Sequence, residues 1–91
     1  MEFYRIKHKP TGLYYKPGQG NNLTKKGKVY TGGPNVLNYY TGNIPVRAGG
    51  SLLKQLKQIY NVVEECRYGH VGISLPRTDF VMEPVNISMA Q

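Results

Sequence analysis

The sequence predicts a small α+β domain. A mainly antiparallel sheet of three or four strands opens with a β-hairpin, and one main helix packs across it. Three observations carry this. Residues 2–8 alternate apolar and charged, which is the period of a strand. Lys9-Pro10-Thr11-Gly12 follows with the residue types of a tight turn. From Leu52 onward, Leu52, Leu53, Leu56, Ile59, Tyr60 and Val63 recur at the spacing of a helix with one apolar stripe.

The elements follow in chain order. Pro10 presets φ for the second turn position and Gly12 accepts positive φ at the fourth, the residue types of a type I turn closed by a glycine bulge. That turn pairs Lys9 with Leu13, His8 with Tyr14, Lys7 with Tyr15 and Ile6 with Lys16. One face of the hairpin then carries Phe3, Arg5, Lys7, Lys9 and Tyr15. The other carries Tyr4, Ile6, His8 and Tyr14 and reads as core. Pro17 stops the return strand, and residues 18–22 form a loop. Lys25-Lys26-Gly27-Lys28 is a second glycine turn, followed by a short strand at Val29-Tyr30. Gly33-Pro34 opens a short helix with Val36, Leu37 and Tyr40 on one side, ended by Gly42.

Ser51 is the expected N-cap of the main helix, residues 51–66, with Gly69 as a stop. Glu64 and Glu65 are out of place at the negative end of a helix dipole. Either the helix stops near Asn61 and Val62 starts a strand, or the acids have a basic partner. Residues 79–88 read as a final strand, which Pro84 assigns to an edge. The whole chain, 1–91, forms one domain, with residues 1–31 holding the hairpin and the lysine-rich turn.

Charge sets the functional expectation. The chain carries 12 Lys and Arg against 5 Asp and Glu, a net +7. Residues 1–30 hold seven basic side chains against Glu2, a net of +6, whereas residues 61–91 have a net of −2. So lopsided a field favours a polyanionic partner. No apolar run approaches the roughly 20 residues of a membrane span, and the start lacks the apolar stretch of a secretion signal. Cys66 is the single cysteine, which excludes an intrachain disulfide and suits a reducing cytoplasm.

An enzyme needs a constellation, and the candidates are His8, His70, Cys66, Glu64 and Glu65. Two histidines beside lysines would suit acid–base cleavage of RNA, but His8 falls on the core face, the place of a structural histidine. Cys66 and His70 lack the paired spacing of a zinc site. Gly18-Gln19-Gly20 lacks the remaining residues of a phosphate loop or a dinucleotide fingerprint. A protein without catalysis, cofactor or metal is therefore expected. Phosphates want Lys and Arg, and exposed bases want aromatic planes. Arg5, Lys7, Lys9 and Tyr15 supply both on one face, Lys25, Lys26 and Lys28 extend it, and Lys16 reaches its rim. The competing reading buries Tyr15 under the helix, with the stems of Arg5 and Lys7 covering it.

The stretch Tyr4-Arg5-Ile6-Lys7-His8-Lys9-Pro10-Thr11-Gly12-Leu13-Tyr14-Tyr15, followed by Asn22-Leu23-Thr24-Lys25-Lys26-Gly27-Lys28-Val29-Tyr30, resembles small basic early proteins of tailed bacteriophages. Within that group it looks most like the T-even-phage counter-defence inhibitors of the ToxN endoribonuclease toxin. The resemblance covers the first third of the chain. It implies RNA binding, a host toxin or other defence protein trapped together with RNA, and Arg5, Lys7, Lys25, Lys26 and Lys28 as the RNA contacts. A homo-oligomer is compatible with it. The alternative, from another class, is a protein-only inhibitor of a host enzyme that uses the region of Glu64, Glu65, Asp79 and Glu83.

Overall fold

A computed structural model describes residues 3–31, 42–61, 65–67 and 70–85, with backbone alone at 65–67 and 70. The fold is α+β and antiparallel throughout its described strand pairs. Strand β1 (Phe3–His8) organises the first sheet. Along one edge it pairs over its full length with β8 (Phe80–Val85), from Phe3↔Val85 to His8↔Phe80. Its other edge takes β4 (Tyr30–Thr31) at Phe3 and Tyr4, and β2 (Tyr14–Tyr15) at Lys7. Strand β3 (Leu23–Thr24) adds to β2. Pro84 lies in β8, whose described partner is β1 alone, as its edge placement requires.

The second sheet lies outside the elements expected from the sequence. It runs in the order β5 (Asn43–Ala48), β7 (His70–Pro76), β6 (Glu65–Arg67). Its inward side chains are Ile44, Val46 and Ala48 on β5 and Val71, Ile73 and Leu75 on β7, all buried. Both segments alternate strictly, so the period-2 signal was present. The five- and three-stranded sheets thus replace the expected single sheet of three or four strands.

Helix α1 (Gly50–Ile59) is shorter than the 51–66 read from the stripe. Tyr60 leaves the helix at φ −120° and ψ 153° while its N–H still bonds the Leu56 carbonyl. Glu65 lies in β6, so the alternative in which the helix stops near Asn61 is the one observed. Ser51 is not the cap. Gly49 occupies that position, and its N–H donates to Asn21 Oδ1 at 2.9 Å. Leu52 and Leu56 are buried, Leu53 and Tyr60 partly so, and Ile59 is exposed. Ile6, Tyr15, Leu23 and Phe80 from the first sheet join these helix residues and the inward residues of the second sheet in one core.

The junction between the sheets is polar. Asn22 is 6% exposed and every group it offers is used. Its Nδ2 donates to the carbonyls of Lys16 (2.9 Å) and Gly18 (3.1 Å), its Oδ1 accepts from Arg47 N–H (2.7 Å), and its N–H donates to Arg47 O (2.9 Å). Its own carbonyl accepts from Lys16 N–H at 2.8 Å.

The hairpin register differs from expectation by one residue. Lys7 lies opposite Tyr14, and His8 exchanges hydrogen bonds across the turn, donating to Leu13 O and accepting from Gly12 N–H. The loop therefore holds residues 9–12 rather than three residues. One contact distant from the turn's own sequence explains it, Lys9 N–H donating to Asp79 O at 2.8 Å, and within the turn Thr11 Oγ1 bonds the His8 ring. A one-residue slip reverses every facing of the return strand. Tyr15 is consequently in the core, against the edge of Phe80, and Tyr14 shares the outer face with Arg5 and Lys7. Gly12 keeps the expected positive φ, at 73°. Residues 33–41 of the helix read at 33–42, residues 62–64, and residues 86–88 of the final strand lie outside the described residues; Gly42 itself has φ 85°.

Two glycines separate strain from contact. Both have positive φ, but a Cβ on Gly12 would meet nothing within 4 Å, whereas one on Gly27 would lie 2.3 Å from Tyr14 Cβ. Gly12→Ala should cost about 1–2 kcal/mol, the penalty of a left-handed backbone. Gly27→Ala should cost about 1–3 kcal/mol more, because β2 must also move. Urea denaturation of the two variants checks this, and equal losses would contradict the close approach at Gly27.

Candidate nucleic-acid interface

The outer face of β1 and its neighbours is built by alternation. Ile6 and His8 point inward and are fully buried, so Arg5 and Lys7 point outward. The antiparallel pairings set Glu83 beside Arg5, and Val81 and Tyr14 beside Lys7. The Arg5 guanidinium lies 3.8 Å from the centroid of the Tyr14 ring, in cation–π geometry. Tyr14 O–H donates to Glu83 Oε1 at 2.6 Å. Arg5 Nη2 stands 3.8 Å from Oε1 and Lys7 Nζ 3.4 Å from Oε2. The Tyr14 hydrogen bond and the two cations hold the Glu83 carboxyl below its usual range, and the same hydrogen bond raises the Tyr14 phenol.

The lysine-rich turn abuts this cluster. Thr24 Oγ1 accepts the Gly27 N–H at 2.7 Å, Lys28 N–H donates to Tyr15 O at 3.0 Å, and Arg5 Nη1 approaches Lys26 O at 3.4 Å. Lys25, Lys26 and Lys28 are exposed, and Lys28 Nζ rests 5.1 Å from the centre of the Tyr30 ring. Lys16 is exposed just past β2, and Lys9 is exposed at the hairpin tip.

The structure therefore brings Arg5 and Lys7 together and sets the turn of Lys25, Lys26 and Lys28 beside Arg5, as the sequence suggested. It corrects two members of the set. Tyr15 faces away from Lys7, so the surface that relied on Tyr15 does not exist in that form; Tyr14 provides the outer ring. Lys9 leaves the strand for the loop. Glu83 was read as part of an acidic contact region, but it sits within the basic cluster and halves the charge of Arg5 and Lys7. Asp79 is likewise committed internally.

Asp79 ends a half-buried hydrogen-bonded chain. Tyr60 O–H donates to Asp79 Oδ2 at 2.5 Å, so its oxygen is left to accept the His8 Nε2–H at 2.6 Å. His8 Nδ1 then accepts from Thr11 O–H at 2.8 Å, and Thr11 Oγ1 accepts Leu13 N–H at 3.3 Å. His8 also stacks at a tilt on Phe80, with centroids 4.9 Å apart. Burial lowers the His8 pKa, against an opposing pull from Asp79. Burial and the Asp79 hydrogen bond push the Tyr60 phenol well above its usual range. The chain ties the hairpin turn, the helix end and the 3-10 turn Arg77–Asp79 into one corner. His8 occupies the core position expected for a structural histidine. The side chains of Cys66, His70 and Glu65, and residue Glu64, lie outside the described set. Among the described residues, no three His, Cys, Asp or Glu side chains group as metal ligands, and no helix is long and apolar enough to cross a membrane.

Fold and site together define a small basic α+β protein with a lysine-bearing hairpin face. No protein-family model matches the chain, and neither a curated protein nor a solved structure matches it.

The buried His8 makes stability depend on pH with a definite sign. The folded state holds the ring neutral below its ordinary value of 6.5, so the unfolded chain takes up the proton first as pH falls. Stability should be full above about pH 6.5 and decline below it. His8→Phe should remove that decline, whatever its effect at neutral pH. Tyr60→Phe should cost about 1–3 kcal/mol, because it leaves the His8 N–H and the Asp79 carboxylate without their shared partner. Denaturant titrations at several pH values measure both.

Proposed function

We propose that the protein is a non-enzymatic RNA-binding protein that grips single-stranded or irregular RNA through its phosphates. The observation that carries this reading is the Gly27 turn. Its contact with Tyr14 fixes three exposed lysines beside the Arg5–Tyr14 pair. Lys9 and Lys16 add two more exposed charges from the same third of the chain. Cations on a short, braced turn lose less freedom on meeting phosphate than cations on a loose loop. Arg5, Lys7 and Tyr14 form the adjoining half-buried part of the face, while Tyr15 belongs to the core and is not a contact.

The resemblance to phage early proteins gives this activity a setting. In the cytoplasm of an infected host, the RNA-bound protein holds an endoribonuclease toxin or another defence enzyme in an inactive complex. A protein-only inhibitor acting through the acidic C-terminal region is less well supported, since Asp79 and Glu83 are both engaged within the chain.

If Lys9, Lys16, Lys25, Lys26 and Lys28 each neutralise one phosphate, the log–log salt slope is about −3.5. Affinity should then fall roughly a hundredfold between about 50 and about 200 mM salt. Lys25→Glu with Lys26→Glu should weaken binding across all sequences and flatten the slope, whereas Tyr15→Phe should leave both unchanged. Fluorescence anisotropy with labelled RNA checks these outcomes. Salt-insensitive binding, or full activity of the double charge reversal, would replace this reading with the protein-only one.

A further inference from the structure

Glu83 is the one carboxylate on the outer face of β1 and its described neighbours, and it sits against both Arg5 and Lys7. Three donors converge on it. Tyr14 O–H makes a short bond of 2.6 Å, while Lys7 Nζ and Arg5 Nη2 stand at 3.4 and 3.8 Å. The arginine is poorly served. Among the described residues its Nη1 has only the 3.4 Å approach to Lys26 O, and its buried Nε has no hydrogen-bond partner. A planar guanidinium presents five N–H donors, and a carboxylate whose first oxygen already takes Tyr14 cannot answer them. A phosphate has more acceptor oxygens and more charge, and guanidinium matches it in paired geometry. The cluster is reachable, since the side chains of Arg5, Lys7 and Glu83 are 26%, 35% and 34% exposed. The Tyr14 ring under the guanidinium keeps its plane fixed whichever anion it meets.

We propose that Glu83 is a built-in competitor for phosphate: its carboxylate occupies the Arg5–Lys7–Tyr14 cluster in the free protein, and an RNA phosphate must displace it to bind there. Glu83 thereby limits how tightly, and with how steep a salt dependence, the face holds RNA. The proposal rests on the RNA-binding reading above. It assigns to an acidic residue the task of keeping a basic face from binding every polyanion it meets, since an anion that offers only weak contacts elsewhere does not displace the carboxylate.

The test compares the full chain with Glu83→Gln and Glu83→Thr, the latter a strand-favouring residue that serves if the amide perturbs folding. A labelled oligouridylate of about 12 nucleotides, within the usual span of single-strand sites, is titrated at several salt concentrations. Both variants should bind about three- to tenfold tighter near 100 mM salt, with a slope steeper by about 0.7–1.4, the increment of one or two phosphate contacts. Adding Lys7→Gln should reverse most of the gain. Unchanged affinity and slope in a folded Glu83 variant would overturn the proposal while leaving the RNA reading intact. A parallel measurement of sulfate-induced thermal stabilisation at constant ionic strength separates the two ideas. If no protein binds RNA, the RNA reading fails. Sulfate then judges Glu83 alone: stabilisation of the variants beyond wild type supports the competition, and equal stabilisation refutes it.

Discussion

The polar clamp at Asn21 and Asn22 is the constraint on which the rest of the architecture depends. In the first sheet β2, β3 and β4 are two-residue strands, so that sheet relies on packing beyond itself. What aligns the sheets is one loop. Asn22 hydrogen-bonds both backbone groups of Arg47 in β5 and the loop carbonyls of Lys16 and Gly18, and Asn21 holds the start of α1 through Gly49. Buried amides are tolerated only when all their hydrogen-bonding groups are matched. Asn22 meets that condition, so it can lie at the edge of an otherwise apolar core. With the sheets fixed, Leu52 and Leu56 have a single place to go, and Ile6, Tyr15 and Phe80 close the core from the other side.

Local rules made half of this legible. The period-2 pattern of β1, the positive φ of Gly12, the lysine-rich glycine turn and the edge placement of Pro84 follow from residue types at fixed spacings. The misfit of Glu64 and Glu65 with a helix end correctly signalled an early stop. The register of the hairpin did not follow, because long-range partners chose it. Asp79 is 70 positions away from Lys9 in sequence, and Tyr60 is 52 from His8. Type I turns with three- and four-residue loops share the same Pro and Gly cues, so only the tertiary contacts separate them. That single choice exchanged Tyr14 and Tyr15. The strands at 43–48 and 70–76 were legible by alternation, but Pro45 in the first and the glycine of the second weaken their propensity.

Charge and structure diverge in an instructive way. The count of basic residues in the first third describes a field, not a surface. Within the fold, Arg5 and Lys7 become the half-buried flank of an ion-pair cluster, while the lysines that remain fully presented to solvent lie on turns. Glu83 takes the Tyr14 hydrogen bond, and its two ion pairs, partly exposed and 3.4 and 3.8 Å long, add little stability beyond that bond. Its effect is on the local potential, which it lowers at the one spot where arginine, lysine and tyrosine converge. The lysine turn, by contrast, depends on Gly27 for its position and has no acid near it among the described contacts.

The clamp also makes the architecture sensitive to the chemistry of one amide. Asparagine side chains hydrolyse slowly to aspartate, and they are among the heat-sensitive residues of proteins. At most surface positions such a change adds one negative charge and little else. At Asn22 it would replace the NH2 that donates to Lys16 and Gly18 with an oxygen facing two carbonyl oxygens. A buried acceptor set against acceptors is repulsive, and the added charge would lie in the seam between the sheets. Hydrolysis of this one amide would thus act on the seam that joins the sheets, whatever the size of the core.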